Sequence, residues 1–296
     1  MRRAWTCSGV RWSGDGAVLV WGGGRTSPLV PGRRVAFGVV DGGVRTCVGA
    51  RGNACPVRAV VSSRGTGARC EECARLDRAH SVAADTLADD PRPYRVYLAW
   101  FGPGLVKVGI TRVERGSVRL LEQGAVTFSW LGQGPLMAAR RAEELLRAAL
   151  GVPDRIPYAD KRAVRAALPG AGERLAEIRE LHERAADLDG WPESLGRAPF
   201  EPVDHTDVFG LAGLSPAWGV VRELAAGGSV DGELRGAAGP DLHLLTGRGV
   251  VVLDTRLMTG WELTGAGAAD VAGGSGITFP VREAPPADAG VQDGLF

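Results

Sequence analysis

The chain alternates between short apolar runs broken by glycine and longer stretches with helical spacing. Apolar runs bounded by glycine or proline predict strands, whereas apolar residues repeated every three or four positions predict helices. Strands are predicted at residues 10–12, 17–21, 35–40, 94–101, 105–111, 126–131, 228–234, 242–245, 250–253 and 261–263. Helices are predicted at residues 74–87, 136–150, 160–168 and 172–188, and a short further helix should end at Gly124.

This pattern predicts an α+β fold made of several segments. Short strands with tryptophans occur both at residues 1–46 and at residues 203–263, so we expect the two chain ends to form one β-module. The predicted division is a β-rich segment at 1–46, a four-cysteine module with a helix at 47–91, a small α/β module at 92–155, a helical segment at 156–190, a β-rich segment at 203–280 and a disordered tail at 281–296.

Four of the five cysteines have a spacing typical of a metal site. Cys47, Cys55, Cys70 and Cys73 follow the pattern C-x7-C, then fourteen residues, then C-x2-C. Two cysteines three positions apart can bind one tetrahedral ion when the backbone turns tightly, and the proline after Cys55 supplies a rigid turn. We predict that these four residues hold a structural zinc ion, with Cys47 at the longest spacing and Cys7 left over.

Two other interpretations of the cysteines remain open. They could be unrelated buried thiols, since free cysteine is often buried, or they could hold an iron–sulfur cluster. A redox C-x-x-C is set aside because the strand–helix context of thioredoxin-like proteins is missing around Cys70.

Charge and hydropathy limit the setting of the protein. No apolar run reaches the ~18–20 residues of a membrane helix, and no secretory signal is present, so we expect a cytoplasmic protein with no membrane partner. The net charge is only +1, yet residues 1–165 carry +12 and residues 166–296 carry −11. The basic part therefore suggests a polyanion as partner, although two surfaces of opposite sign could also attract each other within the protein.

Residues 96–143 resemble the GIY-YIG nuclease superfamily, in particular its divergent branch with a K-[IV]-G-[IV]-T second strand. Val96-Tyr97-Leu98 corresponds to the first tripeptide, and Val106-Lys107-Val108-Gly109-Ile110-Thr111 to the second. Arg119 matches the helix arginine and Glu143 the glutamate of the later helix. Classical members have a tyrosine in the second tripeptide, and we assign that position to Val108.

Over its whole length the chain is similar to an uncharacterised family of bacterial proteins, domain of unknown function 2797. That similarity implies no established activity. The residues that carry it are Arg45-Thr46-Cys47, Cys55-Pro56, Cys70-x-x-Cys73, Lys107-Val108-Gly109-Ile110-Thr111 and Glu122-Gln123-Gly124-Ala125.

The nuclease resemblance implies roles for three residues. Phosphodiester hydrolysis needs an activated nucleophile, a cation that neutralises the transition state, and usually a divalent metal. Tyr97 would position or activate water, Arg119 would neutralise phosphate charge, and Glu143 would hold one Mg²⁺. Glu143 shares a helical face with apolar residues, so it could equally form a buried ion pair with Arg119 or Arg140.

The leading hypothesis is a zinc-containing nucleic-acid-binding protein that acts as a Mg²⁺-dependent endonuclease on DNA or RNA. The competing hypothesis is a non-catalytic zinc-stabilised binding or scaffold protein with a degenerate nuclease fold. Residues 92–165 carry 13 Arg and Lys against 6 Asp and Glu. The candidate phosphate contacts in this segment are Lys107, Arg112, Arg115 and Arg140.

Overall fold

The computed structural model describes residues 3–79, 90–265 and 275–284. It confirms the mixed α+β class. The chain forms two compact units: unit 1 consists of Met1–Ser81 and Gly213–Phe296, and unit 2 of Val82–Ala212. The finer division into six segments stays a prediction.

Unit 1 is built on a ten-stranded sheet. The strand order is β15-β10-β13-β12-β11-β4-β14-β1-β2-β3. The strands are β1 Ala4–Ser13, β2 Gly16–Trp21, β3 Thr26–Leu29, β4 Arg34–Val39, β10 Ala217–Val221, β11 Ser229–Ala238, β12 Asp241–Thr246, β13 Gly249–Asp254, β14 Glu262–Gly265 and β15 Val281–Glu283.

The two ends of the chain share this sheet, which confirms the predicted β-module. Strand β4 lies between β11 and β14, and it pairs antiparallel with both. Strand β1 pairs antiparallel with β14, and the Trp12 indole N–H donates to Gly239 O at 2.8 Å. Backbone pairing and a buried side chain therefore both join the amino-terminal strands to the carboxy-terminal ones.

The edge strands of unit 1 differ from the expectation. Strand β10 pairs in parallel with β13 and antiparallel with β15. The prediction of a disordered tail from residue 281 is therefore wrong for Val281–Glu283. These residues are too few to show a strand pattern of their own, and their order comes from backbone hydrogen bonds to β10. The rest of the predicted tail, residues 285–296, lies outside the described residues.

The four-cysteine segment follows β4 and ends in helix α1, Glu71–Arg78. The helix begins three residues before the predicted start, because Cys70 is its N-cap residue. Its predicted extension to residue 87 lies largely outside the described residues. The buried Arg45 guanidinium donates to four backbone carbonyls, at 2.8–2.9 Å, which fixes the segment within unit 1. The four acceptors are the carbonyls of Thr259, Ser62, Gly65 and Arg256.

Unit 2 is built on a second, smaller sheet with the order β6-β5-β7-β8, in which β9 also pairs with β7. Its strands are β5 Tyr94–Trp100, β6 Val106–Arg112, β7 Thr127–Gly134, β8 Gly196–Arg197 and β9 Val203–Asp204. Its helices are α2 Val118–Gln123, α3 Leu136–Leu150, α4 Tyr158–Val164, α5 Ala171–Ala186 and α6 Thr206–Phe209.

The longer helices of unit 2, α3 and α5, pack against the sheet. The bounds of α3 agree with the prediction, and it ends at Gly151, whose φ of +66° lies in the left-handed region that glycine readily adopts. Tyr97, Ala99 and Phe101 on one face of β5 pack with Phe128 and Leu120 in a buried cluster. The cluster fixes the β5–β6 hairpin against α2.

None of the helices within the described residues is long and apolar enough to cross a membrane.

Candidate functional site

The four predicted cysteines come together in unit 1. The sulfur atoms of Cys47, Cys55, Cys70 and Cys73 all lie within 4.8 Å of one another. A tetrahedral ion with sulfur ligands at about 2.3 Å requires sulfurs about 3.8 Å apart, so the cluster is close to the size of such a site. Cys70 is partly exposed and the other three are buried. The fifth cysteine, Cys7, lies apart on β1.

Backbone N–H groups surround the sulfurs. Gly49 N and Cys70 N donate to Cys47 Sγ at 3.3 and 3.2 Å. A side chain on Gly49 would collide with Asn53 O and Cys55 N, so glycine is required for this close turn. Hydrogen bonds from N–H groups stabilise thiolates, and the thiolate is the form of cysteine that binds a metal cation.

The thiols also perturb each other. The pKa of Cys55 falls to about 7, mainly because the backbone N–H of Ala59 hydrogen-bonds to it. The pKa of Cys73 rises to about 12, because it is buried and because the neighbouring thiols share hydrogen bonds with it. Four sulfurs without a cation must share protons in this way, and a metal ion would replace those protons. The donor set and its N–H contacts therefore fit a structural metal ion.

A polar cluster surrounds Tyr97 in unit 2. Tyr97 on β5 pairs directly with Gly109 on β6, and its ring occupies the space that a Cβ on Gly109 would take. The buried Tyr97 hydroxyl accepts a hydrogen bond from Gln123 Nε2 at 2.9 Å. The ring and its oxygen are thus held from two sides, by a strand and by the end of α2.

Three charged side chains affect the pKa of Tyr97 or of one another, and they are Lys107, Arg119 and Glu143. Burial raises the pKa of Tyr97, while the hydrogen bond from Gln123 and the charge of Arg119 oppose that rise. Burial also raises the pKa of Glu143, and the charge of Lys107 opposes it. The pKa of Lys107 falls to about 8, first because of burial and then because of the Arg119 charge. Arg119 and Glu143 therefore both act electrostatically on Tyr97 and on Lys107.

The structure positions Lys107 by two contacts. Its Nζ donates to Asp154 O at 2.9 Å and lies 5.8 Å from the centroid of the Tyr97 ring. Strand pairing explains the position, because Lys107 and Gly109 share one face of β6 and Val108 faces the other way. The side chain of β6 that lies beside Tyr97 is therefore Lys107, and Val108 points to the opposite face of the hairpin.

Helix α3 carries Glu143 on its apolar face. Leu136, Ala139 and Leu146, at helical steps of three and four, are buried, and Glu143 between them is partly buried. Its neighbour Glu144 is exposed. The helix therefore directs one of two adjacent carboxylates toward the cluster and leaves the other in solvent.

The other predicted phosphate contacts have different surroundings. Arg112 donates to Tyr94 Oη at 3.1 Å and lies 3.4 Å from the Asp90 carboxylate. Arg115 donates to both carboxylate oxygens of Glu122 at 2.7 Å, and the same carboxylate lies 3.6 Å from Arg119. The positive charge of Arg140, one helical turn away, opposes part of the rise that burial causes in the pKa of Glu143.

Three residues that support the cluster had not been predicted as members of the site. Gln123 positions the Tyr97 hydroxyl, while the buried Lys161 and Arg165 donate to Gln123 O at 3.2 Å and to Gly124 O at 2.8 Å. These two bonds cap the carboxy-terminal end of α2. A usable signal existed for Lys161, because this chain has 33 Arg and only two Lys, Lys107 and Lys161.

Comparison with curated proteins and with solved structures finds no match. Residues 32–263 match the family described as "Protein of unknown function (DUF2797)". The matched range covers most of the chain and includes both the four cysteines and the polar cluster around Tyr97. The chain therefore belongs to the DUF2797 family.

Proposed function

We propose that this protein binds nucleic acid and cleaves its phosphodiester bonds at a site in unit 2. The observation that carries the proposal is the polar surroundings of Tyr97, with Gln123 bonded to its hydroxyl at 2.9 Å and the Lys107 ammonium 5.8 Å from its ring. The charges of Arg119 and Glu143 both act on the pKa of Tyr97 and on that of Lys107. A tyrosine hydroxyl can position or activate the nucleophile, cations can neutralise the transition state, and a carboxylate can hold a divalent metal, as phosphodiester hydrolysis needs.

The order of elements supports the likeness to GIY-YIG nucleases. From β5 to α3 the order is strand, strand, helix, strand, helix, and β5 lies between β6 and β7. In this likeness the three residues come from β5, α2 and α3. Rigid elements rather than loops thus carry the proposed catalytic groups, which favours a fixed geometry.

Tyr97 and Arg119 would act on the nucleophile and the phosphate. Because burial raises the pKa of Tyr97, its hydroxyl keeps its proton near neutral pH. The oxygen accepts from Gln123, so its own hydrogen can be donated to a water molecule or a phosphate oxygen. Arg119 is 45% exposed, and its guanidinium would stabilise the charge that develops on the phosphate.

Glu143 is the residue that would hold a divalent ion. A carboxylate on an apolar helix face is costly unless a cation compensates it. Bound Mg²⁺ would polarise the scissile phosphate. The Lys107 ammonium lies 5.8 Å from the centroid of the Tyr97 ring, and it would supply a further positive charge that orients the phosphate.

In unit 1 we propose that the ion held by the four cysteines is zinc. Zinc with four thiolate ligands is a closed site that stabilises a fold and leaves no position for water. Its role here would be to hold the segment from Cys47 to α1 in shape. The proposed catalysis does not pass through it.

The test is cleavage of supercoiled plasmid, single-stranded DNA and RNA in Mg²⁺ or Mn²⁺. We expect cleavage by the wild-type protein, abolished by a chelator, and a rate lowered at least about 100-fold by Glu143→Gln. Glu144→Gln is the matched control, since it removes an adjacent exposed carboxylate, and it should leave the rate close to wild type. Cleavage that survives Glu143→Gln would contradict the proposed site.

The alternative function is a non-catalytic nucleic-acid-binding protein. The observation that favours it is the position of Lys107, whose charge is the strongest attraction on Glu143 and can compensate it without a metal. In that case neither the wild-type protein nor Glu143→Gln would cleave any substrate, yet both would bind nucleic acid at low salt.

A further inference from the structure

The turns around the four cysteines carry an unusual concentration of positive charge. Residues 44–70 contain five arginines and no aspartate or glutamate, in a chain with 34 acidic residues. Three of the five have structural contacts: Arg45 binds backbone carbonyls, Arg64 pairs with Glu223 at 3.2 Å, and Arg69 donates to Gly49 O at 2.9 Å. Arg64 and Arg69 are exposed despite these contacts, and the remaining two, Arg51 and Arg58, are exposed as well.

Arg51 and Arg58 have a backbone conformation that favours glycine. Within the described ranges, Arg51 with φ +53° and Arg58 with φ +43° are the two non-glycine residues with positive φ. Side chains with a Cβ adopt this region at a cost of about 1–2 kcal/mol. Such strain persists where the surrounding structure fixes the backbone, and it clusters at binding and catalytic sites, so its confinement to two arginines of one segment suggests a function.

The local turns explain the two conformations. Ala50 and Asn53 exchange two backbone hydrogen bonds across a two-residue turn, in which Arg51 and Gly52 both have positive φ. Turns of this type prefer asparagine or glycine at the position that Arg51 occupies. Arg58 N donates to Cys55 O at 3.2 Å and ends the turn after the Cys55 ligand. Each arginine therefore stands on a turn that the cysteine cluster holds.

Exposed apolar side chains accompany these charges. Val57 is 75% exposed and Val60 is 68% exposed, and both flank Arg58 in the sequence. Arginines beside exposed apolar groups suit a polymer that has both charged phosphates and apolar sugar and base edges. An acidic protein surface would offer carboxylates but no repeating anion, so nucleic acid is the better match.

We propose that the turns of the four-cysteine segment bind the phosphate backbone of a nucleic acid through Arg51 and Arg58. This inference rests on the proposed function, because it assigns residues in unit 1 to the binding of the same kind of substrate. It adds a contact surface that is independent of Tyr97, Arg119 and Glu143. The metal-binding cysteines then fix the shape of the turns, and the turns expose the charges of Arg51 and Arg58.

The test uses the full-length protein and fluorescein-labelled single-stranded DNA, duplex DNA and single-stranded RNA. The variant is Arg51→Gly with Arg58→Gly, because glycine adopts both backbone conformations without strain and should keep stability and zinc content. We expect the Kd to rise on the order of tenfold and the slope of log Kd against log salt to fall by about two. Arg11→Gln with Arg33→Gln removes two exposed charges elsewhere in unit 1 and should change the affinity little.

Several results would overturn the inference. Unchanged affinity of the glycine variant, or equal weakening by both double variants, would show that the two turns have no special role. Displacement of the DNA by polyglutamate at equal charge concentration would indicate an acidic protein as the partner. Arg51→Lys with Arg58→Lys should retain most of the affinity, and its failure to do so in a folded protein would also contradict a backbone contact.

The two proposals fail in different ways. If the wild-type protein binds and cleaves nucleic acid but the glycine variant binds equally well, only the inference about Arg51 and Arg58 fails. If the wild-type protein binds neither DNA nor RNA at low salt, the proposed function fails with it.

Discussion

At the scale of single residues, the two lysines are informative. Arginine replaces lysine almost everywhere in this chain, yet Lys107 and Lys161 are both buried in unit 2 and both donate to backbone carbonyls. A lysine ammonium is more compact than a guanidinium and can donate to one carbonyl in a narrow space. Lys161 also lies 3.7 Å from the centroid of the Phe101 ring, which compensates part of its burial.

Gly109 gives a prediction at this scale. Gly109→Ala places a methyl group where the Tyr97 ring lies, so the ring must move away from Gln123. We expect a loss of about 1–3 kcal/mol in the free energy of unfolding and a larger loss of cleavage than of nucleic-acid affinity. Denaturant titration and single-turnover cleavage measure the two effects.

Gly172→Ala is the matched control for this substitution. A Cβ at Gly172 meets open space in the first turn of α5, so the same chemical change should leave stability equal or slightly higher. Normal cleavage by Gly109→Ala would mean that the position of the Tyr97 ring does not matter.

Much of this residue-scale picture could be predicted from the sequence. The cysteine spacing identified all four members of the cluster, and helical spacing placed Glu143 on an apolar face. The role of Lys107 beside Tyr97 could not be read in the same way, because it depends on the register between β5 and β6. Gln123 was noted only for the family similarity and not as a site residue, because a buried polar residue at a helix end has no spacing signal.

For helices and strands, the local sequence pattern predicted the bounds correctly where the element has a residue that ends it. Helix α3 has an amphipathic repeat and ends at Gly151 in the left-handed conformation, so its bounds could be predicted. Strands β10 and β15 are ordered by partners far away in sequence, and a short edge strand has no such signal. Helix α1 begins at Glu71 because Cys70, held at the cluster, is its cap residue.

The cysteine segment gives the prediction at this scale. We expect one zinc ion per chain by elemental analysis, and its removal by a chelator should speed amide hydrogen exchange in residues 44–79. Cys47→Ser should lower the zinc content toward zero, because it removes one of four ligands and the acceptor of two backbone N–H groups.

Cys7→Ala is the control for this experiment. Cys7 is also buried, but it lies apart from the four-cysteine cluster on β1, so its replacement should leave the zinc content unchanged. Unchanged exchange in residues 44–79 after complete removal of the metal would contradict a structural role.

At the scale of the whole molecule, the chain crosses from unit 1 to unit 2 and returns. Unit 2 is one continuous segment, whereas unit 1 needs both chain ends, because β4 lies between β11 and β14. The closure of unit 1 therefore depends on pairings between residues separated by most of the chain. Contacts of that sequence separation form late and are costly in loop entropy.

The isolated units should behave differently when they are expressed alone. Residues 82–212 should fold without the rest of the chain and unfold in one cooperative transition, because their sheet and helices lie within that segment. Residues 1–81 should not fold alone, since β1 and β4 would lose their partners β14 and β11. Far-ultraviolet circular dichroism with thermal melting distinguishes the two outcomes, and an unfolded 82–212 fragment would contradict this division.

We have proposed that Tyr97, Arg119 and Glu143 form one metal-dependent site. The direct test is to locate Mn²⁺ by anomalous scattering in a crystal of the full chain. We expect an anomalous peak within coordination distance of the Glu143 carboxylate, lost in Glu143→Gln and kept in Glu144→Gln. A Glu143 carboxylate that forms an ion pair with Lys107, with no peak near it at saturating Mn²⁺, would contradict a metal-dependent site.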